Sequence, residues 1–316
     1  MKHELGLGCW ALGGNSYGDV SESQAVDILE TAYELGIRFF DTSPIYGDGL
    51  SEERLGKVLS KKQDALIATK VGMLPHSGMQ IPYNFTKNQI LASVDKSLLR
   101  LNRETIDLVQ IHSPLLGFEN EYPDVFSTMN TIIKSGKVKK FGISLRNPTF
   151  FKTQSLLYDW ESYQYNLSIL DQRINDSFQK SHVSMNPNKY FIARTPFNFG
   201  FLTEKPPIFG QLSEKHHLNG WSKDQFRIWQ NRAKEVKQEL RTSGYSILEA
   251  SIRFPIDSGL ANLVIPGAKT REELIENISA FTATKLNIDI VTKLSNFLVE
   301  SEKGVVNSPY DYKKSD

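Results

Sequence analysis

Along this chain, two hydrophobic periods take turns, and that alternation limits the fold more than any other feature. Short β-rich runs fall at 5–10 (LGLGCW), 37–41 (IRFFD), 65–70 (ALIATK), 106–112 (IDLVQIH), 138–144 (VKKFGIS), 160–165 (WESYQY), 190–194 (YFIAR) and 261–266 (ANLVIP). Stretches with helical spacing lie between most of them. Ser21 to Leu35 puts Val26, Leu29, Ala32 and Tyr33 on one face and stops at Gly36. Thr86 to Leu101 repeats the design with Ile90, Leu91, Val94, Leu98 and Leu101. Tyr122 to Ser135, Ser222 to Thr242, Arg271 to Phe281 and Ile288 to Val299 complete the helical set. Strands that alternate with helices pair in parallel and are covered by those helices. Eight such units, with no linker-like composition between halves, predict an α/β fold of the (β/α)8 TIM-barrel type in one domain over residues 1–316. Two stretches exceed that plan. A long polar, Pro-rich loop around 198–220, with Trp221 just after it, is expected to cover a site, with a mobile surface insert as the plainer reading. Residues 301–316 form a polar C-terminal tail.

Composition narrows the function. Lys plus Arg number 37 against 36 Asp plus Glu, which leaves no electrostatic footprint for nucleic acid or an anionic membrane. The single cysteine, Cys9, excludes an intramolecular disulfide, fits a reducing compartment, and reads as a small buried residue of the first strand. No signal-peptide core or transmembrane-length apolar run is present, so the expected localisation is cytoplasmic. GLGCWA (6–11) matches a relaxed dinucleotide fingerprint, but too few residues precede it and LGGNSYG follows, which cannot open a helix. His216 and His217 are adjacent; they are expected to be solvated, with side chains pointing apart and no metal-ligand spacing.

Barrel active sites form where strands give way to loops. Asp41, Lys70 and His112 end three successive strand runs, and Tyr46 stands in the loop after Asp41. Each has a plain reading alone: a turn cap, a snorkelling lysine, a core histidine, a tyrosine packed on the rim. Together they make a chemical set. An ammonium beside a phenol lowers its pKa from about 10 toward the working range. A carboxylate keeps that ammonium charged, and an imidazole can donate to an oxygen that gains negative charge. Such a group suits proton delivery to a carbonyl oxygen. None of the four carries electrons, so a cofactor must. A Schiff-base role for Lys70 needs the amine neutral, which the carboxylate opposes.

FFDTSPIYGDGLSEERLGKVL, ATKVG, DLVQIHSP, SGKVKKFGIS, PFNFGFLTEK and VIPGAKTREELIEN follow one another in the order and spacing of the aldo-keto reductase signatures, and from Leu5 to about Ala280 the chain resembles that family. The resemblance implies a (β/α)8 barrel that reduces an aldehyde or ketone, or oxidises the alcohol, with a nicotinamide cofactor bound without a Rossmann domain. It makes Tyr46 the general acid, Lys70 its pKa partner, Asp41 the paired carboxylate and His112 the residue that orients the carbonyl oxygen. It places Ser144 and Gln164 at the nicotinamide carboxamide, and Arg194, Thr195, Phe197, Gly200 and Lys205 along the pyrophosphate; Trp10 is expected near the mouth, among the cofactor-binding residues. Gly267, Lys269, Glu273, Glu276 and Asn277 fall at the adenosine end. Leu145 replaces the family's usual asparagine after Ser144, and Arg194 stands where many members stack a tyrosine, though a guanidinium can also lie flat on a ring. Glu273 would repel a 2′-phosphate, whereas Lys269, Thr270 and Arg271 would attract it; NADPH is the expected cofactor, with NAD as the alternative. The partner is a small carbonyl or alcohol, a sugar or sugar derivative included, with no nucleic acid and no membrane. The alternative function is a cofactor-binding sensor or regulatory subunit on the same barrel.

Overall fold

The computed structural model describes residues 4–297 except 15, 76–81, 116–121, 177, 179, 180 and 215; the expected tail 301–316 lies outside them. Eight strands form one parallel sheet in sequential order: β1 (Leu7–Gly8), β2 (Phe39–Asp41), β3 (Leu66–Val71), β4 (Ile106–His112), β5 (Val138–Ser144), β6 (Ser162–Asn166), β7 (Tyr190–Arg194) and β8 (Leu263–Ile265). Parallel bridges from Leu5 to Val264 and from Gly8 to Gly267 bring β1 back to β8 and close the ring. The first strand is shorter than the expected 5–10, because Trp10 already has helical backbone angles and Ala11–Gly13 makes a single 3-10 turn. No helix opens there, which disposes of the dinucleotide fingerprint.

Helices α1 (Glu22–Glu34), α2 (Leu50–Leu59), α3 (Lys87–Leu101), α4 (Tyr122–Lys134), α5 (Phe151–Leu157), α6 (Ser181–Met185), α7 (Lys223–Leu240), α8 (Ile247–Asp257), α9 (Arg271–Thr282) and α10 (Ile288–Ser295) surround the strands. In α1 the buried stripe is Ala25, Ile28, Leu29 and Ala32, with the expected Val26 and Tyr33 at its margin. The helical set read from spacing did not include α2, α5, α6 or α8. Of these, α5 and α6 have only seven and five residues. In α8 seven residues from Ile247 to Pro255 are buried, so no polar face reveals a helix, and Pro255 reads as a breaker.

Alternate residues of each strand face the barrel interior. Low in the barrel these are apolar: Phe39, Ala68, Leu108, Ile192 and Leu263 pack with Ile265 into one cluster. Two residues further along the same strands stand Asp41, Lys70, Gln110 and Arg194. A plug of hydrocarbon thus supports a polar layer at the C-terminal rim.

Candidate active site

Tyr46 owes its place to close backbone packing. A Cβ on Gly47, whose φ is +65°, would lie 2.1 Å from the Gly13 carbonyl oxygen, and one on Gly13 would lie 2.6 Å from the Tyr46 carbonyl carbon. Only a glycine pair lets the tyrosine loop lie on the 3-10 turn. Behind it, α2 is fixed by buried Glu52, which accepts from Thr69 Oγ1 at 2.6 Å and from Arg100 Nε at 2.6 Å. Thr69 precedes Lys70, so this contact holds the helix to the strand that carries the lysine.

Asp41, Tyr46, Lys70 and His112 meet at the rim. Lys70 Nζ donates to Asp41 Oδ2 at 2.7 Å, to the Thr42 carbonyl at 2.8 Å, and lies 3.3 Å from the Tyr46 hydroxyl. The His112 ring meets the Tyr46 ring edge-on with centroids 6.1 Å apart, and its Nδ1 lies 3.1 Å from Ser43 Oγ. Ser43 was not singled out in the sequence, since nothing local ties a serine after β2 to a histidine on β4.

Burial is complete enough to shift the charges. Burial pulls the Lys70 ammonium down, but Asp41 and Tyr46 together more than offset it, and the net shift is upward. A neutral Schiff-base lysine is therefore opposed. Burial also pushes the Tyr46 phenol up, and Asp41 adds to that, while Lys70 and Arg194 pull it down without prevailing. The direction is opposite to the expected lowering of the phenol: the neighbours are as foreseen, but desolvation outweighs them.

From this quartet a cavity of about 1150 Å³ runs to the N-terminal end of α9, and Asp41, Tyr46 and His112 line it. All of the residues expected to hold a cofactor line it too: Trp10, Ser144, Gln164, Arg194, Thr195, Phe197, Gly200, Lys205, Gly267, Lys269, Glu273, Glu276 and Asn277. Small-molecule pockets run to roughly 300–1,000 Å³, so this one has room for a cofactor together with a small substrate. Ser144 Oγ donates to Gln164 Oε1 at 3.0 Å, and Gln164 Nε2 donates to Asp41 Oδ1 at 2.7 Å. Arg194 donates to Asn166 Oδ1 and, at 3.0 Å, to the Leu145 carbonyl. Thr195, Asn198 and Phe199 have positive φ, a left-handed conformation that costs a non-glycine residue about 1–3 kcal/mol.

At the far end the expectations need correcting. Arg271 Nε donates to Thr31 Oγ1 at 3.1 Å and lies 3.7 Å from Asp27 on α1; it does not line the cavity. Glu273 accepts the Lys269 backbone N–H at 2.8 Å, so its carboxylate caps the start of α9. Asn277 Nδ2 donates to the Gly267 carbonyl at 3.1 Å. Lys269 remains as an exposed cation there.

Within 198–220, Phe199, Lys205, Leu212 and His216 are among the residues that line the cavity. His217 sits against Trp10, Tyr17 and Phe199, with centroids 4.9, 4.5 and 5.7 Å away, and both its backbone N–H and Nδ1 meet the Ser16 carbonyl. Burial pushes its pKa down to about 3. The His216 and His217 rings are stacked 4.9 Å apart. They are neither solvated nor divergent as expected, because the 3-10 turn at His217–Gly220 does not follow α-helical directions. Trp221 packs on Phe199 and Trp229 instead of covering the mouth. Among the described residues no cluster of three His, Cys, Asp or Glu could hold a metal ion, and no helix is long and apolar enough to cross a membrane.

Residues 4–298 match the model of the Aldo/keto reductase family. An uncharacterized oxidoreductase of Bacillus subtilis (strain 168) is 29% identical over 298 residues, which cover 93% of this chain and 92% of that one. A D-threo-aldose 1-dehydrogenase of a Pseudomonas species is 27% identical over 297 residues, covering 84% and 85% of the two chains. A Bacillus halodurans aldo-keto reductase in its holo form superposes with a TM-score of 0.75 at 25% identity, covering 94% and 93%. Because the matched residues run through all eight strands and through the loops that carry the polar rim, the chain belongs to the aldo/keto reductase family and is an oxidoreductase of that family.

Proposed function

We propose that this protein interconverts a small carbonyl compound and its alcohol, with Tyr46 as the proton donor in reduction. The observation that carries the reading is the 3.3 Å approach of Lys70 Nζ to the Tyr46 hydroxyl, with Asp41 behind it at 2.7 Å. A nicotinamide cofactor, when bound, supplies or accepts the hydride. Tyr46 gives its proton to the substrate oxygen. Its raised pKa keeps the phenol protonated at neutral pH, which suits a donor, and Lys70 stabilises the phenolate left behind. Ser43 can donate to His112 Nδ1, which keeps the ring proton on Nε2 and makes that nitrogen a donor to the same oxygen.

We assign the nicotinamide to the Ser144, Gln164 and Arg194 end, where Arg194 offers a flat guanidinium. The pyrophosphate belongs along Thr195–Lys205, where left-handed backbone is concentrated. The finer assignment is NADPH, with Lys269 as the group that meets the 2′-phosphate. Its support is narrower than the sequence suggested, since Arg271 is drawn to α1. Trp10 stacks on Tyr46 and meets Tyr17 edge-on, and the aldose named for the Pseudomonas relative makes a sugar or polyol the first substrate class to try.

The test is turnover at the reduced-nicotinamide absorbance band over sugars, ketones and aldehydes, in both directions and with both cofactors. Tyr46→Phe should abolish turnover and leave the cofactor dissociation constant within a few-fold. Wild-type rates in that variant would remove Tyr46 from the chemistry, and tighter binding of NADH than of NADPH would reverse the cofactor choice.

A further inference from the structure

Gln164, buried on β6, has both ends of its amide committed. Its Nε2 donates at 2.7 Å to Asp41 Oδ1, a carboxylate 123 positions away in the chain, and its Oε1 accepts from Ser144 Oγ. Asp41 is thereby divided between two kinds of donor. Oδ2 takes the Lys70 ammonium, and Oδ1 takes neutral amides, with Gln110 Nε2 a second donor at 3.5 Å. A continuous chain of contacts therefore runs from Ser144 through Gln164, Asp41 and Lys70 to the hydroxyl of Tyr46. A filler for the barrel interior would not need this arrangement; an apolar side chain of like volume would pack there without importing polar atoms to be satisfied.

We propose that Gln164 is a positioning residue for the acid as well as a cofactor contact: its grip on Asp41 Oδ1 keeps Lys70 extended toward Tyr46, and so ties the acidity of Tyr46 to the nicotinamide end of the cavity. This rests on the reading of Tyr46 as the proton donor. The physical reason is charge sharing. With the amide in place, part of the carboxylate charge is met by a neutral dipole. Without it Asp41 attracts Lys70 more strongly, the ammonium withdraws from the phenol, and the uncompensated carboxylate raises the Tyr46 pKa. The other charged or titratable groups around Tyr46 are His112 from β4 and Arg194 from β7. Asp41 also bears on the buried Cys9 thiol, whose pKa is raised by burial first and by Asp41 second. None of these changes in the variants below.

Alcohol oxidation requires the phenolate, so its rate climbs with pH through the Tyr46 pKa. Gln164→Ala should move that midpoint upward by about one unit. Gln164→Met keeps the volume, removes the donor and should do the same; it carries the test if Gln164→Ala does not fold. Cofactor dissociation constants, read by quenching of protein fluorescence, should weaken by less than about tenfold. A midpoint that stays at its wild-type position with weaker cofactor binding makes Gln164 a cofactor contact alone and overturns the proposal. An unchanged midpoint with unchanged binding overturns it equally, leaving Gln164 as packing. An active Tyr46→Phe enzyme removes the proton-donor reading, whereas an inactive one with unmoved Gln164 midpoints removes only the coupling.

Discussion

At the Tyr46 end of the cavity the polar groups stand on or beside barrel strands and are buried; at the α9 end they stand on a loop and a helix terminus and several face solvent. Asp41, Lys70, Gln164 and Ser144 have nearly no contact with water, so each charge or dipole acts at low effective dielectric and one substitution is felt by all. Lys269, Glu272 and Glu276 are exposed, and water screens them from one another. The buried end therefore leaves little room for substitution. The other can be retuned by single surface changes with little effect on the fold.

That contrast can be broken at four points of decreasing effect. Tyr46→Phe removes the transferable proton and should reduce turnover on the order of a thousandfold; a loss smaller than tenfold would mean that the buried end is not where the proton comes from. Asp41→Ala leaves the Lys70 ammonium enclosed, its side chain 1% exposed, and should destabilise the fold by about 3–5 kcal/mol in urea unfolding. A change below about 1 kcal/mol would show that the strand-end layer is not sealed. Lys269→Ala should weaken NADPH by about tenfold and leave NADH unmoved, and equal effects on both would deny the solvent-facing end its part in cofactor choice. Acid sharpens the comparison last. The folded pKa of His217, about 3, lies below the ordinary value near 6.5. A His217 freed from Trp10 and Tyr17 binds a proton that the packed ring refuses, so the packing is fully favoured above about pH 6.5 and weakens as pH falls toward 3. Proteolytic nicking within 198–220 should speed up at pH 5 relative to pH 7.5, and equal rates would mean that the His217 ring does not hold that stretch in place.

The barrel was legible because two periods alternating eight times leave few other ways to bury a core. The quartet at the rim was legible because three of its members end apolar runs and Tyr46 stands in the loop after the first of them. What lies between distant residues was not. His217 meets Ser16 across 201 positions and Arg271 meets Thr31 across 240, and no local pattern announces such a meeting. Glu273 was read by its charge, although Thr270 three residues earlier is a capping signature that could have shown where the carboxylate turns. Gln110 sits between Leu108 and His112 on the inward period of β4; a strict count by twos would have found it. The direction of the Tyr46 shift was hidden for another reason. Sequence supplied the charged neighbours, and only the fold supplies the depth of burial that outweighs them.

The seam between the first and last strands has a practical consequence. It is stitched by Val264 N–H to Glu4, Gly6 N–H to Val264 and Gly8 N–H to Pro266, each at 2.9 Å. Shortening the chain past Glu4 would unpick those stitches one by one and bare the flanks of Phe39–Asp41 and Leu263–Ile265 as open templates for a second molecule. Such shortened variants should be recovered as aggregates rather than as weakened monomers, and their insolubility would say nothing about the cavity above.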